Sequence, residues 1–127
     1  MGNEPRVYCV WNCPRLDEVG PPKPRATKEG LLVYYHGNIG PSYLPLGILQ
    51  AMTLLPPEVR LCVIGYETIG TKGYKHAFLE EARRLGVERR VKILDPMPRY
   101  RLLRHAAECD VGLAFIPKKD EDINNAF

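Results

Sequence analysis

The sequence predicts an α/β fold, a Rossmann-like parallel sheet with flanking helices, and two observations carry that prediction. Short continuous apolar runs recur along the chain: LLVYY at 31–35, RLCVI at 60–64, VKIL at 91–94 and VGLAFI at 111–116. Strands buried on both faces read this way. Segments of helical periodicity lie between these runs across short loops, an alternation that implies parallel strands joined by right-handed crossovers.

The elements follow in order. Arg6 to Trp11 (RVYCVW) reads as a short strand stopped by Asn12-Cys13-Pro14. Residues 14–30 carry Pro14, Pro21, Pro22 and Pro24; proline fixes φ and removes a donor, so this stretch is an extended surface linker rather than a helix or central strand. Residues 1–30 are therefore set apart from a domain spanning 31–127. In that domain Leu31 to Tyr35 forms the first strand, and His36 to Pro41 (HGNIGP) a glycine-bearing loop. A helix covers Leu44 to Leu55, with Leu46, Leu49, Gln50, Thr53 and Leu54 at helical spacing, and Pro56-Pro57 ends it. Arg60 to Ile64 is the second strand, closed by Gly65. Tyr74 to Leu85 is a second helix with Phe78, Leu79, Ala82 and Leu85 on one face and Glu80, Glu81, Arg83 and Arg84 on the other. Gly86 stands where a helix end favours a left-handed residue. Val91 to Leu94, Tyr100 to Ala107 and Val111 to Ile116 complete the series as strand, helix and strand.

A chain of 127 residues, 45% hydrophobic and 26% charged, is sized and composed for one globular core. Its 18 Lys and Arg are interspersed with 15 acids, whereas nucleic-acid binding needs clustered charge. No apolar run approaches a membrane span and no signal-peptide pattern opens the chain, so a cytoplasmic location is expected. Cys9 and Cys13 are spaced C-x3-C, while Cys62 and Cys109 stand apart. Without a second close pair the usual structural zinc spacings are not met, and the cysteines read as reduced, apolar-like thiols.

In a doubly wound sheet the first strand is central and the fourth starts the other half. Ligands bind between them at the strands' C-terminal ends. Here that crevice would lie between the loops His36 to Tyr43 and Pro117 to Asn125. Gly37-Asn38-Ile39-Gly40 would let backbone approach a ligand, with the following helix directing amide donors toward it. The segment lacks both the G-x-G-x-x-G and the P-loop spacings, and on its own the glycines serve a turn. Gly65-Tyr66-Glu67 and Pro96-Met97-Pro98 follow the next two strands and are placed to touch a nucleoside, or simply to end strands. Lys118 to Asp122 reads as a solvated charge run. No carboxylate pair is assignable to acid–base work, so no catalytic residue is designated.

Taken in order, these pieces resemble the donor-binding half of group 1 glycosyltransferases of the GT-B fold. Val7 to Pro14 (VYCVWNCP) is similar to the segment between the two GT-B domains, and Val33 to Gly37 (VYYHG) to the donor domain's first strand and glycine. Ala51, LCVIG at 61–65, LGVERRV at 85–91 and DVGL at 110–113 follow in family order, and Asn124-Asn125 resembles the approach to the diphosphate-binding segment. The resemblance implies an enzyme that moves a sugar from a nucleotide diphosphate donor, generally with retention and with no obligatory metal or other cofactor. The donor-binding residues it implies are Gly37, Asn38 and Gly40 near the phosphates, Gly65 and Met97 facing the nucleoside, and Asn124. Where many members carry two basic residues this chain has Asn38 and Tyr43, which removes charge-assisted contacts to the diphosphate. The family's downstream asparagine–lysine segment, glutamate pair and acceptor domain do not occur in these 127 residues, so the chain is expected to be a fragment without activity of its own.

Two other readings stand beside this one. A stand-alone nucleotide-binding or interaction module could reuse half a Rossmann sheet, and a GT-B sugar-nucleotide epimerase would share the fold with different chemistry. A fourth strand near the end of the sequence would leave its outer edge uncovered and prone to self-association.

Overall fold

The structure is a computed structural model and describes residues 14–21 and 30–115. The expected strand at Arg6 to Trp11, the loop Pro117 to Asn125 and Asn124 lie outside the described residues.

Four parallel strands, β1 (Leu32–Asn38), β2 (Arg60–Tyr66), β3 (Val91–Leu94) and β4 (Val111–Gly112), form one sheet in the order β3-β2-β1-β4. Helices α1 (Gly47–Leu54), α2 (Tyr74–Arg84) and α3 (Arg99–Ala107) connect them in sequence. The predicted α/β class and the central first strand are both present, with β4 beginning the other half on β1's far side.

Alternation along the strands sorts side chains onto two faces. Tyr35 from β1 and Leu61 and Val63 from β2 face α1 and α2, meeting Leu49, Met52, Phe78 and Ala82 in the larger cluster, with Ile39, Leu44 and Val87 closing its ends. The opposite face carries Tyr34, Cys62 and Ile64, against which Leu102, Ala106 and Cys109 pack from the α3 side. α2 ends as the sequence predicts: Gly86 takes φ +71°, and the Val87 N–H turns back to the Ala82 carbonyl at 2.9 Å.

Four boundaries differ from the sequence reading by two residues or more. β1 continues through His36 and Gly37 to Asn38 because its register with β2 persists, pairing Gly37 with Gly65 and Asn38 with Tyr66. β2 likewise runs past Gly65 to Tyr66. α1 starts at Gly47, since residues 41–45 form a turn in which Leu44 donates its N–H to the Gly40 carbonyl at 2.8 Å. The buried stripe of α1 is accordingly Leu49 and Met52, while Leu54 is 88% exposed. β4 pairs with β1 only at Val111 and Gly112, both exposed, in place of the doubly buried strand expected to Ile116.

One long-range clamp ties the larger face together. Arg90, just before β3, donates from Nη1 to the Met52 carbonyl at 2.8 Å, from Nε to Val59 at 2.9 Å and from Nη2 to Pro56 at 2.9 Å. A fixed cation thus meets carbonyls of the last turn of α1 and of the turn that follows it, at the negative end of the helix. The described linker residues 14–21 are exposed, and Glu18 accepts from Arg99 Nε at 3.1 Å.

Candidate functional site at the strand ends

At the C-terminal edge of the sheet, His36 and Gly37 from β1, Ile64, Gly65 and Tyr66 from β2, and Pro96, Met97 and Leu102 line a pocket of about 150 Å³. The three strands deliver these residues because they end side by side, and Pro96 to Pro98 turn the chain from β3 into α3, whose first turn donates from Arg101 and Leu102 to the Pro98 carbonyl. Ile64, Met97 and Leu102 give the pocket an apolar wall, while Tyr66, 57% exposed, stands at its rim.

Gly37 and Gly65 are neighbours across the β1–β2 ladder. A Cβ on Gly65 would lie 1.9 Å from the Gly37 carbonyl oxygen, so the close passage of the strands requires glycine there. Gly37 has φ +144°, a region that favours glycine, and its Cβ would meet the Tyr35 hydroxyl at 3.2 Å. That hydroxyl donates to the Asn38 carbonyl at 2.7 Å and locks the strand end.

Of the six residues expected to hold a donor, Gly37, Gly65 and Met97 therefore converge on one pocket. Gly40 sits elsewhere, against the Thr71 side chain, which a Cβ would approach to 2.6 Å. Asn38 ends β1 outside the pocket lining, and its Oδ1 is buried without a hydrogen-bond partner among the described residues. Asn124 lies outside the described residues. The first turn of α1 is partly self-satisfied, with the Ile48 N–H on Pro45 and the Leu49 N–H on Leu46, leaving fewer amides for an anion than the sequence pattern suggests.

The start of α2 is also occupied. Glu67 Oε1 accepts the Lys75 N–H at 2.6 Å, and backbone hydrogen bonding from Lys75 holds its carboxyl below the usual range despite partial burial. A carboxylate supplied by the chain thus fills the place an anionic ligand would take at this helix end. Sequence reasoning placed Glu67 in the nucleoside loop and gave no sign of this capping. Leu102 was also missed as a pocket residue, since nothing local to its helix points to β1 and β2.

Among the described residues no group of three or more His, Cys, Asp and Glu is arranged to hold a metal ion. Cys62 is buried and unpaired, and burial pushes its thiol pKa up. No described helix is long and apolar enough to cross a membrane.

No protein-family model matches the chain, and no curated protein matches it significantly. Among solved structures, HepE of Anabaena in complex with UDP and glucose superposes with a TM-score of 0.61 at 23% identity, over 68% of this chain and 23% of HepE. A mutant of the O-GlcNAc transferase of Thermobaculum terrenum matches at 28% identity over 79% of this chain and 20% of that one, but with a TM-score of 0.49 its superposition is too loose to define a shared fold. The likeness to HepE shows the shared α/β Rossmann-like fold, and the chain spans about a quarter of HepE's length.

Proposed function

We propose that the chain is part of the donor-binding domain of a GT-B glycosyltransferase, and that its strand-end pocket receives the nucleoside end of a nucleotide-sugar. The observation that carries this reading is the convergence of Gly37, Gly65 and Met97, three positions with separate motifs in the sequence, on one pocket at the C-terminal edge of a parallel sheet. The fold shared with a protein solved in complex with UDP and glucose supports it.

The pocket is smaller than the roughly 300–1,000 Å³ of a drug-sized site, so it suits a base against Met97 and Leu102 rather than a whole donor. The diphosphate would lie beyond the Gly37 end of β1, where Asn38 and Tyr43 offer neutral hydrogen bonds in place of charge-assisted ones. In the complete enzyme the sugar would pass to an acceptor as the nucleoside diphosphate leaves; the chain alone should transfer none.

UDP titrated into the isotope-labelled chain at millimolar concentration should shift the amide signals of Gly37, Gly65, Tyr66 and Met97, with weak affinity. Met97→Asp should remove those shifts while leaving a dispersed spectrum. Shifts confined to other residues, or none at the pocket, would rule the reading out.

A further inference from the structure

The opposite end of the same sheet carries a second cleft. α3 packs over Tyr34, Cys62 and Ile64 through Leu102 and Ala106, and its His105 borders the cleft. Beneath it opens a cleft of about 360 Å³, with Leu32, Cys62 and Leu94 among its apolar lining and Arg60, Arg89 and Lys92 around it. No acidic residue lines it. Asp110, just before β4, is turned to the Leu32 N–H at 2.7 Å, Glu88 is engaged with Arg83, and Glu58, just before β2, is not among the lining residues. Arg90 also borders the cleft, but its guanidinium is committed to the carbonyls at the end of α1. The side chains of Arg60, Arg89 and Lys92 hold no carboxylate partner among the described residues and are exposed.

We propose that this cleft is a docking site for an acidic, apolar-bearing peptide segment of a partner protein. The charge argument is direct: three exposed cations surround a recess lacking any acid, so an occupant with carboxylates is attracted and a basic one repelled. The chemistry of the floor adds the second requirement, because covering Leu32, Cys62 and Leu94 releases water only if the occupant brings apolar side chains. The cleft and the strand-end pocket share no lining residue.

A fluorescein-labelled peptide of alternating glutamate and leucine, followed by anisotropy at low salt, tests this. Saturable binding is expected. It should weaken about tenfold in an Arg60→Glu, Lys92→Glu double variant and fall with added salt. Arg101→Glu, an exposed charge on α3 outside the cleft, should leave it unchanged, and so should excess UDP. An amide spectrum of the double variant distinguishes lost binding from lost fold. Four results would overturn the proposal: equal binding by the double variant, equal binding of a peptide with serine in place of leucine, competition by UDP, or tighter binding to phosphatidylglycerol vesicles than to the peptide.

Discussion

The two faces of the sheet are built to different standards. On the α1–α2 side, Phe78, Leu49, Leu61 and Val63 are all at 0–1% exposure and interlock around the strands. On the α3 side no residue of the helix is buried, and the strand it leads to is only Val111–Gly112, both exposed, held to β1 by the Asp110 and Leu113 N–H groups. The chain's own residues complete one layer, while the other is a partial cover over Tyr34, Cys62 and Ile64. Stability should therefore reside in the first layer, and responsiveness to ligands and partners in the second, where both clefts open.

Substitutions that sample each layer sharpen that contrast. Phe78→Ala empties the centre of the larger cluster and should cost about 3–5 kcal/mol, as aromatic truncations in closed cores do; chemical denaturation should find the variant largely unfolded. Comparable loss from truncating α3 would erase the distinction between the faces. Arg90→Met removes the clamp at the end of α1 and should cost about 2 kcal/mol, with Arg90→Lys failing to restore it, because an ammonium cannot reach several divergent carbonyls as a planar fork does.

Leu102→Ala acts on the thinner layer and should cost only about 1 kcal/mol, below the range for fully buried leucines. Hydrogen exchange should show the same asymmetry, with the amides of α3 and β4 exchanging well before those of β2. Uniform protection would contradict it.

The smallest effect is a titration. Burial first, with Cys109 and Cys62 close by, pushes the Tyr34 phenol up to about 12, because its ionised form is disfavoured in the folded chain. The resulting stabilisation is fully present below the ordinary phenol range and is lost as pH rises toward 12. Phenolate absorbance should therefore retain a component titrating near 12 that Tyr34→Phe removes. Ionisation of Tyr34 in the ordinary phenol range in the folded protein would show that the α3 face is open to water.

What could be read from residues alone depended on how local the cause was. Apolar runs marked β1, β2 and β3 because burial on both faces leaves its trace in consecutive residues. Gly86 was legible because its helix ends where it stands. Gly37 and Gly65 were recognised as important but placed in loops. A glycine after an apolar run signals either a turn or a close approach, and their cross-strand pairing, thirty residues apart in sequence or nearly so, decides it. The inward stripe of α1 slipped to Leu49 and Met52 because the turn at 41–45 delays the helix. Nothing local to Arg90 marks its role, because its acceptors lie far back at Met52 to Val59. Three of the six residues expected to hold a donor, Gly37, Gly65 and Met97, line the strand-end pocket, whereas one wall of the expected crevice, 117–125, lies outside the described residues; Leu102 came from packing that no local pattern encodes.

The glycine pair bears on how this pocket could be reshaped, whether by selection or in a mutant library. At Gly65 any side chain collides with the opposite backbone, and at Gly37 the φ of +144° excludes most alternatives, so two of the three strand-end contributions are closed to variation. Outside the buried Ile64 and the turn residue Pro96, diversity enters through the side chains at His36, Tyr66, Met97 and Leu102. A library confined to those four would keep the floor rigid while changing what rests on it, whereas randomising the glycines would yield unfolded clones and teach nothing about ligand preference.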